Sequence, residues 1–231
     1  MMQKNMEELV QLKEEDSYFR PFVVESPDSR GNVFVVGINP ATPMKVKDFE
    51  DTSEYIDLIY NRSRFMERMQ TLRIRDGKSR LSKTRVGLNA FVKDLEAKSS
   101  GVINVVETNM NAWPTKSAKC LSLPKNKQAA VYGAQIFKRV FFHYKPNVLI
   151  VHSKQALGEL LAFLEIEKLN PSVTFDSNVR LVDWIAAGPI TFTYEDGTIG
   201  TIFCSKHFMY HGHVGHSFQP LKEQVLAVFE Q

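Results

Sequence analysis

The stretch Val33-Phe34-Val35-Val36-Gly37-Ile38-Asn39-Pro40-Ala41-Thr42-Pro43 decides the fold. Its first four residues are apolar and mostly β-branched, which is the pattern of a strand buried on both faces. Gly37 then permits a sharp turn, and Pro40 and Pro43 remove donors and fix the backbone, so neither sheet nor helix continues. A turn signal, Pro27 to Asn32, precedes the strand.

Working outward, residues 102–106 and 147–151 repeat the short apolar run, and residues 190–194 and 198–204 flank Glu195-Asp196-Gly197, a hairpin signal because Asp-Gly supports the φ > 0 turns that hairpins use. Between these lie segments of helical spacing. Ile56, Ile59, Tyr60 and Met66 predict a helix over 53–72, and residues 81–98 repeat the pattern with Ser82 as its cap. Further helices are expected over 128–143, 153–167 and from Phe218 onward. Met6, Leu9, Val10 and Leu12 give the first sixteen or so residues a partial apolar stripe, so residues 1–25 are expected to form an N-terminal helical extension. Strands alternating with helices imply an α/β sandwich around a mostly parallel sheet, in one domain spanning 1–231.

Composition narrows the function classes. The chain has 231 residues, 43% of them hydrophobic, which excludes wholesale disorder. With 29 Lys and Arg against 26 Asp and Glu it is only mildly basic, at a formal +3. No apolar run approaches the roughly 20 residues that span a bilayer. The acidic N-terminus lacks the basic-then-apolar order of a secretory signal, so a cytoplasmic location without membrane contact is expected. Cys120 and Cys204 stand in unrelated contexts, which argues against a disulfide framework, a redox pair or a four-cysteine cluster and for buried thiols.

In parallel α/β sheets, sites collect at the carboxyl ends of the strands. That rule selects residues 37–42, 108–115 and 205–216. Asn39 presents an amide at the sheet edge, able to orient a water but a poor base; as an Asn before Pro it is also an ordinary turn residue. Asn109 offers one donor and one acceptor, the pairing that reads a nucleobase edge, although Asn commonly ends strands as well. His207 can supply a neutral imidazole N–H to charge developing on a leaving group, or be a satisfied core histidine.

Taken together these segments resemble the uracil-DNA glycosylase superfamily. Gly37-Ile38-Asn39-Pro40 is similar to the first motif of the mismatch-specific uracil/thymine branch, with Ala41 in place of its final glycine. Asn104-Val105-Val106-Glu107-Thr108-Asn109 resembles the second strand and its base-reading Asn, residues 146–157 the third strand and following helix, and Ile202-Phe203-Cys204-Ser205-Lys206-His207 the last strand and its histidine. Downstream, Phe208-Met209 stands where the family has Pro-Ser. The resemblance covers about residues 33–230. It implies a three-layer sandwich with a central, mostly parallel four-stranded sheet, and hydrolysis of the N-glycosidic bond of a base flipped from DNA, by a monomer needing no metal or cofactor. It further implies Asn39 and His207 as catalytic residues, positioning water and stabilising the departing base, and Gly37, Ile38, Pro40 and Asn109 around the base. Phe49 is the first candidate for stacking on the base and Tyr55 the second, with core packing the competing role for both. Asp51 and Glu107 are the nearest acids should a carboxylate base be required.

For DNA, Ser153, Lys154 and Lys206 stand at strand ends where hydroxyls and amides bind phosphate without reading sequence, and Lys116-Ser117 is similarly placed. Residues 71–85 carry Arg73, Arg75, Lys78, Arg80, Lys83 and Arg85 against one acid, Asp76, which is either a DNA-facing patch or a solvated connection. Tyr210, His211 and His213 lie in a His/Gly loop expected to enter the DNA, with Tyr210, Met209 or Val214 as wedge. Three of its imidazoles could hold zinc, but their spacing matches no familiar zinc motif. Uracil or a mismatched pyrimidine is the default substrate. The Phe208-Met209 departure raises a second, a bulky hypermodified phage base such as glucosylated hydroxymethylcytosine removed in anti-phage defence. A non-catalytic nucleic-acid-binding module and a hydrolase of free nucleosides remain as rivals.

Overall fold

The computed structural model describes residues 6–12, 15–28, 30–212 and 215–230. Helix α1 (Met6–Val10) leads to the two-residue strand β1 (Phe22–Val23) and then to β2 (Val33–Gly37). Helices α2 (Thr52–Ile59), α3 (Arg62–Arg75) and α4 (Lys83–Lys98) follow, then β3 (Val105–Asn109), α5 (Lys127–Tyr144), β4 (Val148–Val151) and α6 (Lys154–Ile166). The short helix α7 (Leu181–Ala186), the strands β5 (Ile190–Thr193) and β6 (Ile199–Cys204), and α8 (Gln219–Ala227) complete the order.

The sheet has six strands in the order β1-β3-β2-β4-β6-β5. The inner four run parallel, with Val33 opposite both Val105 and Val148, and Val148 opposite Thr201. Both edges are antiparallel. The four-stranded sheet expected from the sequence is therefore corrected to a mixed six-stranded one. The Asp196-Gly197 hairpin adds β5, and Phe22-Val23, too short to show a periodicity, adds β1 by pairing with Thr108 and Glu107.

Alternation along β2 explains how one sheet serves two cores. Phe34 and Val36 join Phe137 and Phe141 of α5, Leu157 and Leu160 of α6, and Tyr55 and Phe65 of α2 and α3. Val33 and Val35 join Leu88, Phe91 and Leu95 of α4 and Val225 of α8 on the opposite face. Helices thus pack on both faces, as parallel strands with crossover connections require.

Two further expectations change. The helix predicted over 53–72 is broken into α2 and α3, because the Asn61 side chain accepts the Arg64 N–H at 3.0 Å and starts a new helix. The N-terminal segment is not a helical extension beyond Val10. Residues 17–24 run extended and buried, tied by Tyr18 N–H to Met44 O (2.9 Å) and Arg20 N–H to Ala112 O (2.9 Å). Elsewhere the cap read from sequence is present, Ser82 accepting from Arg85 N–H at 3.2 Å, and Ser153, expected as a phosphate contact, also caps its helix by accepting from Ala156 N–H at 3.1 Å. No helix among the described residues is long and apolar enough to cross a membrane.

Candidate functional site

The carboxyl ends of β2, β3, β4 and β6 open onto one cavity of about 730 Å³. Asn39, Pro40, Asn109 and His207 line it together with Arg20, Arg85, Glu107 and His152. Gly37 makes this convergence possible. It pairs with Asn109 in the sheet, and a Cβ placed on it would stand 2.6 Å from Asn109 Oδ1 and 2.9 Å from His152 Nε2. Ile38 contributes backbone, its carbonyl accepting Asn111 N–H at 2.9 Å, while its side chain packs against the core.

Asn39 has a determined orientation. Its Nδ2 donates to Thr115 O (3.1 Å), Thr115 Oγ1 (2.8 Å) and Pro40 O (3.3 Å). Two of these acceptors are carbonyls, and the Thr115 hydroxyl proton is used on Ser117 O at 2.8 Å, so only the NH2 group can face them. Oδ1 makes no hydrogen bond among the described residues and is the atom left to hold a water. The Asn109 amide likewise has no partner among the described residues, as suits a group waiting for a ligand.

The two imidazoles lie edge to face, ring centroids 5.3 Å apart. Burial first, and the neighbouring His207 second, push His152 down to about 4. Burial also lowers His207. Both are therefore neutral near pH 7. His207 Nδ1 accepts the Met209 N–H at 3.3 Å, which puts its proton on Nε2 as a hydrogen-bond donor.

Glu107 is the only acid lining the cavity among the described residues. Burial would raise its carboxyl, but Arg85 and Arg62 outweigh that and hold it below its ordinary value. It bonds Arg85, and its Oε1 lies 3.4 Å from Arg62 Nε, while Arg62 itself donates to Val105 O at 2.6 Å and pairs with Glu96 at 2.9 Å. A carboxylate committed to two guanidiniums orients Arg85 in the cavity wall and is a weak proton acceptor. Arg20 is buried with its Nη2 on Thr42 O at 2.7 Å. Arg73, Lys78 and Lys116 complete a cationic wall.

Four sequence-predicted roles change. Asp51 is exposed and accepts Glu54 N–H at 2.9 Å, capping α2. Phe49 does not line the cavity; it packs edge-on against Tyr18 and Tyr55 at 5.4 Å with Arg68 over its face at 5.0 Å. Tyr55 is fully buried and donates to Phe19 O at 2.8 Å. His211 is buried against the Phe218 ring at 5.3 Å, so it is a packing residue and not a phosphate contact. His213 and Val214 lie outside the described residues.

A second groove, of about 540 Å³, adjoins the first through His152 and His207 and is lined by Ser153, Lys154, Lys206, Tyr210, Leu181 and Val182. Four of the sequence-predicted DNA contacts therefore share one surface. Within it Lys154 Nζ reaches Ser177 O at 2.5 Å, and Ser153 caps α6. Tyr210 is 64% exposed and Met209 44%. Phe208 turns the other way. It is fully buried, stacked on Phe218 at 5.4 Å and tilted against Phe91 at 5.1 Å, and its carbonyl sits where a Cβ on Gly87 of α4 would stand. Phe208 is a core anchor for the loop and lines neither cavity. Among the described residues no three His, Cys, Asp or Glu side chains converge as a metal site.

His152 is the site residue that sequence reading missed. The signal was present, since it follows the third inner strand at the same level as Gly37 and Asn109, but a histidine between a strand and a helix cap has no motif to mark it.

No family model matches the sequence, and no curated protein matches it. What the site can do is therefore argued from its own geometry.

Proposed function

We propose that this chain is a DNA glycosylase that hydrolyses the N-glycosidic bond of a flipped-out pyrimidine and leaves an abasic site. The observation that carries this reading is the Asn39 amide, turned by Thr115 and Pro40 so that Oδ1 is the atom free to hold a water. His207 lines the same cavity as a neutral Nε2–H donor, suited to an anionic leaving base. Water held by an amide and a leaving group stabilised by a neutral donor is sufficient chemistry where the sugar becomes oxocarbenium-like and the nucleophile need not be strongly basic. Of the described lysines, Lys78 and Lys116 line the cavity, and Lys78 is paired with Asp76 at 3.1 Å, so a monofunctional reaction without a Schiff base is the simpler form. Arg73, Lys78 and Lys116 along the cavity, with exposed Lys206 and Tyr210 in the adjoining groove, support DNA as the partner. The chain would act as a monomer in the cytoplasm, with no cofactor.

The size of the cavity favours a second reading of the substrate. About 730 Å³, with a further groove of about 540 Å³ beyond the histidines, is several times what an unmodified pyrimidine ring fills. A base with a bulky polar substituent, such as a glucosylated hydroxymethylcytosine of phage DNA, uses that space, which would place the enzyme in defence and not in repair.

The test is abasic-site formation, read by alkaline strand cleavage, on uracil, mismatched, deaminated and hypermodified DNA. Release of one base by the wild type, lowered about 10²–10³-fold in Asn39→Ala and similarly in His207→Ala, is expected. Intact DNA binding without release of any base would instead select the non-catalytic module, and turnover of free nucleosides alone would select a nucleoside hydrolase.

A further inference from the structure

His152 is not used by the mechanism above, yet it faces the reacting space. Its Nδ1 is buried and has no hydrogen-bond partner among the described residues. Its Nε2 and Asn109 Oδ1 both lie within 3 Å of the point where a Gly37 side chain would stand, at 2.9 and 2.6 Å. The two side chains close on the Gly37 backbone so tightly that no Cβ fits between them, which sets the imidazole nitrogen beside the amide, and both residues line the cavity. A neutral imidazole carries one ring proton. Carried on Nε2, that proton lies beside the Asn109 amide.

We propose that Asn109 and His152 form a two-point reader of the base edge, His152 donating its Nε2–H to a ring nitrogen or carbonyl oxygen of the flipped base beside the Asn109 amide. The inference rests on the glycosylase reading and adds to it a specificity-determining residue. His207, its ring 5.3 Å from that of His152, keeps its separate task at the leaving group.

The experiment compares kcat/KM of wild type, His152→Leu and His152→Asn on duplex DNA carrying the released base or an analogue that lacks the accepting atom, a ring nitrogen replaced by C–H or a carbonyl oxygen removed. Wild type is expected to lose about tenfold or more on the analogue. His152→Leu should lose as much on the parent base and nothing further on the analogue, while His152→Asn, which can still donate, recovers part of the rate. Losses that multiply in His152→Leu, or a His152→Leu enzyme equal to wild type, overturn the proposal. Melting and DNA binding of each variant separate misfolding from lost recognition, and the Asn variant stands should Leu not fold. Absence of release from every DNA is the failure of the glycosylase reading itself. In that event the imidazole ¹⁵N signals of the wild type during titration with free bases decide: a shift at His152 Nε2 supports the reader, and a shift confined to His207 overturns it.

Discussion

At the ends of β2 and β3, Asn39 is held by three hydrogen bonds from one amide nitrogen, and Glu107 is clamped between Arg62 and Arg85. At the ends of β4 and β6, the buried Nδ1 of His152 has no hydrogen-bond partner among the described residues, and His207 is held by Met209 N–H. The two halves of the cavity are set by different physics. One half fixes direction through hydrogen bonds, which are short-ranged and geometric. The other fixes protonation state through burial, which needs no partner but moves a pKa. A site that must orient water on one side and offer a neutral donor on the other has use for both.

Removing a clamp is the severest way to break the first half. Glu107→Gln leaves Arg62 and Arg85 without their shared anion, and about 3–5 kcal/mol of stability should be lost in denaturant unfolding at pH 7. A loss under ~1 kcal/mol would mean that Glu96 alone holds Arg62.

The second half is broken by acid. His152 sits at about 4 in the folded chain against an ordinary 6.5, so the unfolded chain binds the extra proton first. Stability from this residue is whole above pH 6.5 and falls as the pH drops toward 4, by on the order of 3 kcal/mol. Unfolding of wild type and His152→Asn at pH 7.5 and 4.5 isolates it, because carboxylate effects are common to both. Equal acid sensitivity in the two proteins would dismiss burial as the tuning force.

Thr115→Val sharpens the contrast without removing a reacting group. It deletes one acceptor for Asn39 Nδ2 while leaving two carbonyls, so base release should fall about tenfold with KM nearly unchanged. A change in KM alone would assign Thr115 to binding. The smallest effect is expected outside the cavity: Asp51→Ala should cost about 1 kcal/mol through its lost cap and leave base release untouched. Any large loss of activity in that variant would restore Asp51 as a candidate base.

Much of this architecture was legible in advance. The apolar run Val33 to Val36, the Asp196-Gly197 turn, and the cap Ser82 are local signals, and each marks the element it suggests. Asn39, Asn109 and His207 were legible because strand ends in a parallel sheet share one edge, so three separated segments needed no further information to be brought together. Phe49, Asp51 and His211 were misjudged because nearness in sequence to a motif says nothing about the side to which a side chain turns. Phe49 turned to Tyr18 and Tyr55, and His211 to Phe218.

By itself, then, the sequence determined the kind of fold and the level at which a site had to lie, since strand, turn and cap signals are carried by neighbouring residues and the sheet places all its strand ends at one edge. Only the tertiary structure decided what the groups there can do. Which amide atom of Asn39 is free, whether Glu107 can take a proton, and whether His152 is charged depend on partners such as Thr115, Arg62, Arg85 and His207. Those partners are tens of residues away along the chain, and hydrogen-bond direction and burial are properties of the packed neighbourhood that no local pattern encodes.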